Sequence, residues 1–463
     1  MSIVTDNDVV LRDYNPHWAD PARRLARFQF ERVQLERCVR HLAEDGSGRA
    51  LALIGPRHVG KTVLVRQVAD RLLERGLNPR NVLYCNLADE RWPKAPSPRE
   101  IVRAAEAELG SSERLYVLLD EIQVVPKWDA WLKLAVDEGR HRFLVTGSAA
   151  TALRSGARES GLGRWDELAI EPLSFAEFVA LTSGLRNVNE LSERPAPNAL
   201  ARYMTFSGFP AHAFVESAAL VRERLREDIV ERAIVRDLRR LRIDLEQVRR
   251  LFLHLTQSSG SILNALQRAA DLEVNRKSLA KWVDVLLDTR LLVALDPTTT
   301  RQGRGAAKAA RTLRARPKVH VADHGIVHAF APVPAPLEDP HFRGQMVEAM
   351  VFRHLREAQR LVRENRETFA RVGELQLGYW RDTSGEIDFV VDSRAGRIAL
   401  EVTAATRPTA EKLAKLRAAA RRAGATRTLV VCGGPSGDSQ DGIEIVGLEE
   451  FLLAPLNFVE VTA

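Results

Sequence analysis

The sequence predicts an α/β protein whose first large unit is built on a parallel sheet, and three observations carry that prediction. An apolar run, Leu51 to Ile54, breaks at Gly55 and gives way to Pro56, Arg57, His58, Val59, Gly60, Lys61 and Thr62 before the helical periodicity of Val63 to Leu73. Short apolar runs then alternate with helical patterns as far as residue 180. One of these runs, Arg114 to Leu119, passes directly into Asp120 and Glu121. Strands separated by helices imply crossover connections, and doubly buried parallel strands carry their ligand groups at the carboxyl ends.

The first observation is the spacing G-x-x-x-x-G-K-T between a strand and a helix. Gly55 and Gly60 permit backbone angles and a closeness of approach that a side chain would block, so successive N–H groups can surround a phosphate. The whole loop from Gly55 to Val63, with Pro56, Arg57, His58 and Val59 between the glycines, is the expected cradle for a nucleoside triphosphate. Lys61 would neutralise the β- and γ-phosphates, and the Thr62 hydroxyl would sit on Mg²⁺. The following helix directs its positive end at the same anion.

The acid pair supplies the rest of the chemistry. Asp120, at the end of a buried strand, can reach a Mg²⁺ on Thr62 through water. Glu121 points elsewhere and can polarise a water that attacks the γ-phosphate. The runs Asn81 to Leu87 and His141 to Val145 are the other strands of this unit, with helices at Ile101 to Leu109 and Trp128 to Val136. The fourth strand closes on Thr146, Gly147 and Ser148, where Thr146 or Ser148 is placed to sense a γ-phosphate or simply to end a strand.

Composition bounds the remaining possibilities. At 463 residues, 45% hydrophobic and 28% charged, the chain is ordinary globular material and long enough for several domains. It shows no membrane-spanning run and no basic leader, so a cytoplasmic protein without membrane attachment is expected. The three cysteines, Cys38, Cys85 and Cys432, lie far apart without C-x-x-C spacing, against a disulfide framework or a zinc site. A net charge of +7 is compatible with nucleic acid without requiring it.

Five segments follow from this pass. Residues 1–48 carry a predicted helix from Pro21 to Ala43, and residues 49–180 form the phosphate-binding unit. Residues 181–248 open with a polar, proline-containing linker and continue into an arginine-rich amphipathic helix, Leu225 to Leu241. Residues 249–330 have the pattern of a winged helix: helices at Arg250 to Gln257, Ile262 to Ala270 and Asn275 to Asp288, then the strand Leu291 to Leu295. The third of these helices presents Arg276, Lys277 and Lys281 near its start, as a recognition helix does. A basic run follows, Arg301 to Lys318, free of acids, in which Arg304, Lys308, Arg311, Arg314 and Arg316 are the strongest candidates for phosphate contacts to DNA. The last segment, residues 331–463, alternates again, with a helix at Gly344 to Val362, strands near Leu377, Glu386, Ile398 and Thr428, and a helix from Thr409 to Ala423.

The stretches GPRHVGKT, LLDEIQ, WDAWLK, LVTGSA, GLGR and EPLSFAEF, in this order, resemble prokaryotic AAA-superfamily P-loop ATPases that carry a C-terminal domain of unknown function. The resemblance implies ATP hydrolysis on an AAA-type sheet, with phosphate contacts from Gly60, Lys61 and Thr62, metal and water activation by Asp120 and Glu121, and sensing around Ser148. It also implies an arginine finger at Arg164, in cis or from a neighbouring subunit, with Arg154 and Arg158 as competitors; a finger between subunits predicts a homo-oligomer, whereas a cis arginine is compatible with a monomer. His58 stands where relatives often have Gln or Arg. Gly208, Phe209 and Pro210, with Arg236 and Asp237, recur in the family and are read as a structural junction.

The C-terminal pattern E…E-x-D…E-x-K resembles a restriction-nuclease core. Glu348, Glu386, Asp388 and Glu401 would be its acids, and Thr403 stands where the lysine belongs. Threonine is neutral at every accessible pH, so the nuclease chemistry is expected to be severely weakened unless Lys412 or Lys415 substitutes. The overall expectation is an ATP- and Mg²⁺-dependent ATPase coupled to winged-helix and nuclease-like modules, with DNA as the expected polymer partner. Its rival is a nucleotide-gated regulatory, toxin-like or defence switch with little turnover.

Overall fold

A computed structural model describes residues 6–44, 46–92, 96–109, 113–148, 163–191, 195–228, 234, 243–298, 316–365 and 367–459. Helices α1 (Asp6–Tyr14) and α2 (Leu35–Ala43) precede β1 (Ala50–Gly55), which is buried along its whole length. Next come α3 (Lys61–Glu74), β2 (Val82–Asn86), α4 (Pro98–Leu109), β3 (Tyr116–Asp120), α5 (Trp128–Asp137), β4 (Arg142–Ser148) and β5 (Trp165–Ala169). The five strands pair in parallel in the order β2-β3-β4-β1-β5. The apolar runs give this result directly: Leu51, Leu53, Val117, Leu119 and Leu144 are fully buried, as strands covered by helices on both faces must be.

One expectation about the N-terminus fails. Pro21 to Gln34 is not helical, and the helix begins only at Leu35. The segment instead runs as an extended strap whose backbone groups are satisfied from outside. Leu25 and Ala26 donate N–H groups to the Asp70 carboxylate at 2.8 Å each, and the carbonyls of Phe28 and Phe30 accept from the Gln67 amide. Side chains on α3 thus supply the partners that an intrahelical ladder would have provided.

After β5 come α6 (Phe175–Thr182), α7 (Ala199–Phe206) and α8 (Ala218–Arg226). Helix α6 starts with a capping box in which Ser174 and Glu177 satisfy each other's backbone N–H groups. Its apolar face, with Phe175 and Phe178, packs not on the parallel sheet but in the same core as Met350 and Leu355. Helix α9 (Leu245–Gln257), strand β6 (Ser261–Ile262), α10 (Ala265–Asp271), α11 (Arg276–Asp288), β7 (Leu292–Leu295) and β8 (Lys318–Val321) make the next unit, in which β6-β8-β7 form an antiparallel three-stranded sheet. The helix expected from Ile262 starts only at Ala265, because Ile262 pairs with Lys318 and Asn264 caps the helix.

The chain continues through α12 (His324–Phe330) to α13 (Pro340–Glu364), β9 (Gln376–Arg381), β10 (Glu386–Asp392), β11 (Arg397–Thr403), α14 (Ala410–Ala423), β12 (Arg427–Cys432), β13 (Gly437–Gln440), β14 (Ile443–Gly447) and α15 (Leu448–Leu453). Here a mixed six-stranded sheet has the order β13-β14-β12-β11-β10-β9. Cys38, Cys85 and Cys432 are buried free thiols. Among the described residues, no helix is long and apolar enough to cross a membrane.

Candidate functional site

The loop between β1 and α3 has the backbone that its glycines predict. Gly60 sits at φ +93°, a left-handed conformation that L side chains resist. Gly55 is required for a different reason: a Cβ there would lie 2.1 Å from the Ile170 carbonyl oxygen, where the chain leaving β5 crosses the end of β1. His58 takes φ 63° without being glycine, and its ring faces Asp228, which follows α8, at 3.7 Å. Lys61, 5% exposed, donates from Nζ to the carbonyls of Gly55 at 2.9 Å and Pro56 at 2.7 Å, so its ammonium lies across the mouth of the loop.

At the carboxyl end of β3, Asp120 is fully buried. Its Oδ1 accepts from the Thr146 hydroxyl at 2.5 Å, and Oδ2 is buried without a hydrogen-bond partner. Burial raises the Asp120 pKa against the pull of the Thr146 and Thr62 hydroxyls and the Lys61 ammonium. An orphaned carboxylate oxygen near a hydroxyl suits a hydrated Mg²⁺, so Thr62 and Asp120 have the donor chemistry to hold one. Glu121 turns out of the strand at φ 58°, donates its N–H to Thr146 Oγ1 at 3.0 Å, and accepts from the Gln123 amide on Oε2. Thr146 is therefore committed on both sides, to Asp120 and to the Glu121 backbone. Ser148 ends β4 opposite Gly55 in the pairing register.

Lys61, Thr62 and Glu121 share one cavity of about 550 Å³, within the usual range for small-molecule sites. Gly60, Lys61, Thr62, Val63 and Glu121 line its polar end, together with Arg57 and His58. Its apolar wall is Phe28 and Phe30 of the strap, with Pro210 and Phe214 from the segment after α7. Sequence reasoning missed both walls, and it missed Arg32. That guanidinium is 5% exposed, forms a bidentate pair with Glu177, and donates to the Val59 carbonyl at 2.9 Å, tying the strap and α6 to the phosphate loop. The arginine among polar neighbours was visible in the sequence, but its partner lies 145 residues away.

Arg164 is not where a finger acting within the chain would be. It precedes β5, its carbonyl accepts from Ala50 N–H, and its guanidinium pairs with Asp137 at 3.1 Å. Because β1 and β5 run parallel, Arg164 lies at the amino end of the sheet, roughly 17 Å from the loop by strand rise alone. The cis role is therefore corrected. Arg154 and Arg158, and likewise Arg236 and Asp237, lie outside the described residues. Gly208 is packed at a junction, where its N–H donates to Asp323 Oδ2 at 3.0 Å and its carbonyl accepts from Leu173.

Arg276, Lys277 and Lys281 are exposed at the start of α11, and Arg316 is exposed before β8. Arg304, Lys308, Arg311 and Arg314 lie outside the described residues.

A second polar cavity, also about 550 Å³, gathers Glu348 of α13, Asp388 of β10 and Glu401 of β11. Asp388 Oδ2 accepts the Val402 N–H at 2.9 Å. Burial and then the charge of Asp388 push the pKa values of Glu348 and Glu401 upward. Lys412 reaches this cavity, 3.2 Å from Glu401, whereas Lys415 is exposed and paired with Glu411 on its own helix. Glu386 lies at the edge of the group, 2.6 Å from Lys318.

Comparison with known proteins matches three stretches of the chain. Residues 47–179 match a family model described as an AAA domain, and residues 197–337 and 343–451 match two domains of unknown function, DUF8612 and DUF4143. An uncharacterized protein of Haemophilus influenzae is 26% identical over 240 residues, covering 50% of this chain and 58% of that protein. Another, from Mycobacterium tuberculosis, is 27% identical over 281 residues, covering 60% of this chain and 54% of its own length. The chain thus spans little more than half the length of these curated relatives. Among solved structures, the Aeropyrum pernix ORC2 protein in its ADPNP-ADP complexes is similar at a TM-score of 0.39 and 16% identity, over 63% of this chain and 90% of that one. AMPPCP-bound DnaA from Aquifex aeolicus is similar at a TM-score of 0.27 and 11% identity, over 55% and 86%.

Proposed function

From the AAA-superfamily P-loop domain at residues 47–179, we propose that this protein binds ATP with Mg²⁺ and hydrolyses it to ADP and phosphate. The observation that carries the reading is the meeting of Lys61, Thr62 and Glu121 on one cavity, with the Asp120 carboxyl under the influence of Thr62 and its Oδ2 buried without a hydrogen-bond partner. Lys61 would exchange its two carbonyl partners for phosphate oxygens, which are stronger acceptors for an ammonium ion. A bound Mg²⁺ supplies neutralisation of the phosphate charge, and Thr62 and Asp120 are the groups that would hold it. Glu121, steadied by the Gln123 amide and the Thr146 hydroxyl, orients and deprotonates the water that attacks the γ-phosphorus while the bond to the bridging oxygen breaks.

Coupling to the rest of the chain is part of the proposal. Pro210 and Phe214 form part of the cavity wall, and Gly208 beside them is bonded to Asp323 at the start of α12. A ligand that draws this wall inward would move the three-helix and three-stranded unit of residues 245–321, which is read as a winged helix contacting DNA through Arg276, Lys277, Lys281 and the basic run. The C-terminal unit is read as a nuclease-like fold with weakened nuclease chemistry, since Thr403 supplies no ammonium at the lysine position and Lys412 reaches Glu401 only from a different backbone position. The experiment is a steady-state phosphate-release assay with and without duplex DNA at low and high salt, run beside Lys61→Ala. Magnesium-dependent turnover absent from Lys61→Ala supports the ATPase. A rate that no DNA alters at low salt removes DNA from the proposal.

A further inference from the structure

Lys318 opens β8 in the three-stranded sheet, yet its side chain ends among the acids of the C-terminal unit. It is 2% exposed, with Nζ 2.6 Å from Glu386 Oε1 and 3.8 Å from Asp388 Oδ1, and 5.3 Å from the centre of the Tyr379 ring. Burying an ammonium costs several kcal/mol, roughly, unless carboxylates answer it. Here burial is outweighed by Asp388, Glu348 and Glu386, which hold Lys318 in its charged form. The position of Thr403 therefore has no lysine, but the acids meet two from elsewhere: Lys412 from α14 on Glu401, and Lys318, delivered from another unit of the fold.

The pocket has donor atoms left over. His320 lies two residues further along β8, on the same face of the strand. It is 1% exposed, neither ring nitrogen has a hydrogen-bond partner, and its ring is held against Phe352 and Phe389. Its Nδ1 faces Glu348 Oε1 at 4.0 Å, and that oxygen is also buried without a partner. An imidazole nitrogen and a carboxylate oxygen left facing each other beside Asp388 and Glu401 are ligand chemistry for a divalent cation. Among the described residues, no three His, Cys, Asp or Glu side chains are drawn together as a metal site.

We propose that Lys318 is a built-in occupant of this pocket, and that a divalent cation held by Glu348, Asp388 and Glu401, with His320 at hand, binds only by displacing it. The metal-binding character of the acids is what their resemblance to a restriction-nuclease core implies. The competing ammonium is not implied by it, and neither is its consequence: the joint between β8 and the C-terminal sheet and the bound cation exclude each other. Gly260 fits the same joint, since a Cβ there would lie 2.7 Å from Glu348 Oε1. The inference is independent of the nucleotide site.

The test uses Mn²⁺ alone, followed by electron paramagnetic resonance, on nucleotide-free full-length protein carrying Thr62→Ala to silence the phosphate loop. Lys318→Met should bind Mn²⁺ about tenfold or more tightly than the parent. Lys318→Arg should return binding to the parent level, and adding Glu348→Gln to Lys318→Met should abolish the gain. Equal binding by parent and Lys318→Met, or a gain that survives Glu348→Gln, overturns the proposal. Should Lys318→Met not fold, lysine acetylation of the unmodified protein gives the same decision. Lys318 is then protected without Mn²⁺ and labelled at saturating Mn²⁺, and unchanged protection contradicts displacement.

Discussion

Arg32 and Glu177 form a two-pronged ion pair inside the molecule, Nε to Oε1 at 2.7 Å and Nη2 to Oε2 at 3.1 Å, with both side chains almost entirely buried. The third arm of the same guanidinium reaches the Val59 carbonyl in the phosphate loop. One arginine thereby fixes the strap, the loop and α6 relative to one another, and α6 belongs to the core that contains α13.

Removing one member of such a pair leaves a buried charge unanswered, which costs about 3–5 kcal/mol. Arg32→Met should lower the urea midpoint accordingly and weaken ATP binding through the loop. The effect should depend on pH. Burial raises the Glu177 pKa, but Arg32 outweighs it and holds the carboxyl below its ordinary value of 4.5. A depressed folded-state pKa contributes stability that is present above the unfolded value and lost as pH falls through the folded one. The stability gap between wild type and Arg32→Met should therefore narrow as pH falls from neutral through and below the ordinary carboxylate range. A gap constant across that range would contradict the assignment.

Thr146→Val preserves shape but removes the hydroxyl that serves both Asp120 and the Glu121 N–H. Two buried partners go unsatisfied, at about 1–3 kcal/mol each. Turnover should fall on the order of tenfold or more, because the acid pair loses its alignment. ATP affinity, set by the loop, should change little. Stopped-flow binding with steady-state rates separates the two, and an affinity loss as large as the rate loss would show that Thr146 faces the nucleotide.

Glu121→Gln keeps the side chain's size and its place beside Gln123 while removing the base. Hydrolysis should drop by about 10²–10⁴-fold with ATP still bound. Single-turnover measurement of phosphate release is the check, and near-normal rates would move the base elsewhere.

Arg276, Lys277 and Lys281 share one exposed helix start. Replacing all three with alanine should weaken DNA binding uniformly across sequences and reduce the salt slope by about the number of lost phosphate contacts. Fluorescence anisotropy at several salt concentrations measures both, and an unchanged slope would exclude this surface.

The legible parts of this protein were those with local causes. The glycine spacing before Lys61, the acids after a buried run and the apolar strands themselves all follow from neighbours in the chain. The strap was read as a helix because its apolar residues recur at helical spacing, and only Asp70 and Gln67 on α3 explain why it stays extended. Strand β5 went unread because Trp165–Ala169 is a half-buried edge strand carrying Asp166 and Glu167. Arg32 and Lys318 were unreadable for one reason: each finds its carboxylates on a different element, brought near only by the complete fold.

The central claim is a triphosphate gripped by the loop and its lysine. The direct measurement is calorimetric titration of ATP into the protein with and without Mg²⁺, for wild type and Lys61→Ala. Magnesium-strengthened binding that weakens about tenfold or more in Lys61→Ala is the predicted result. No binding by the wild type, or equal binding by the two proteins, would contradict it.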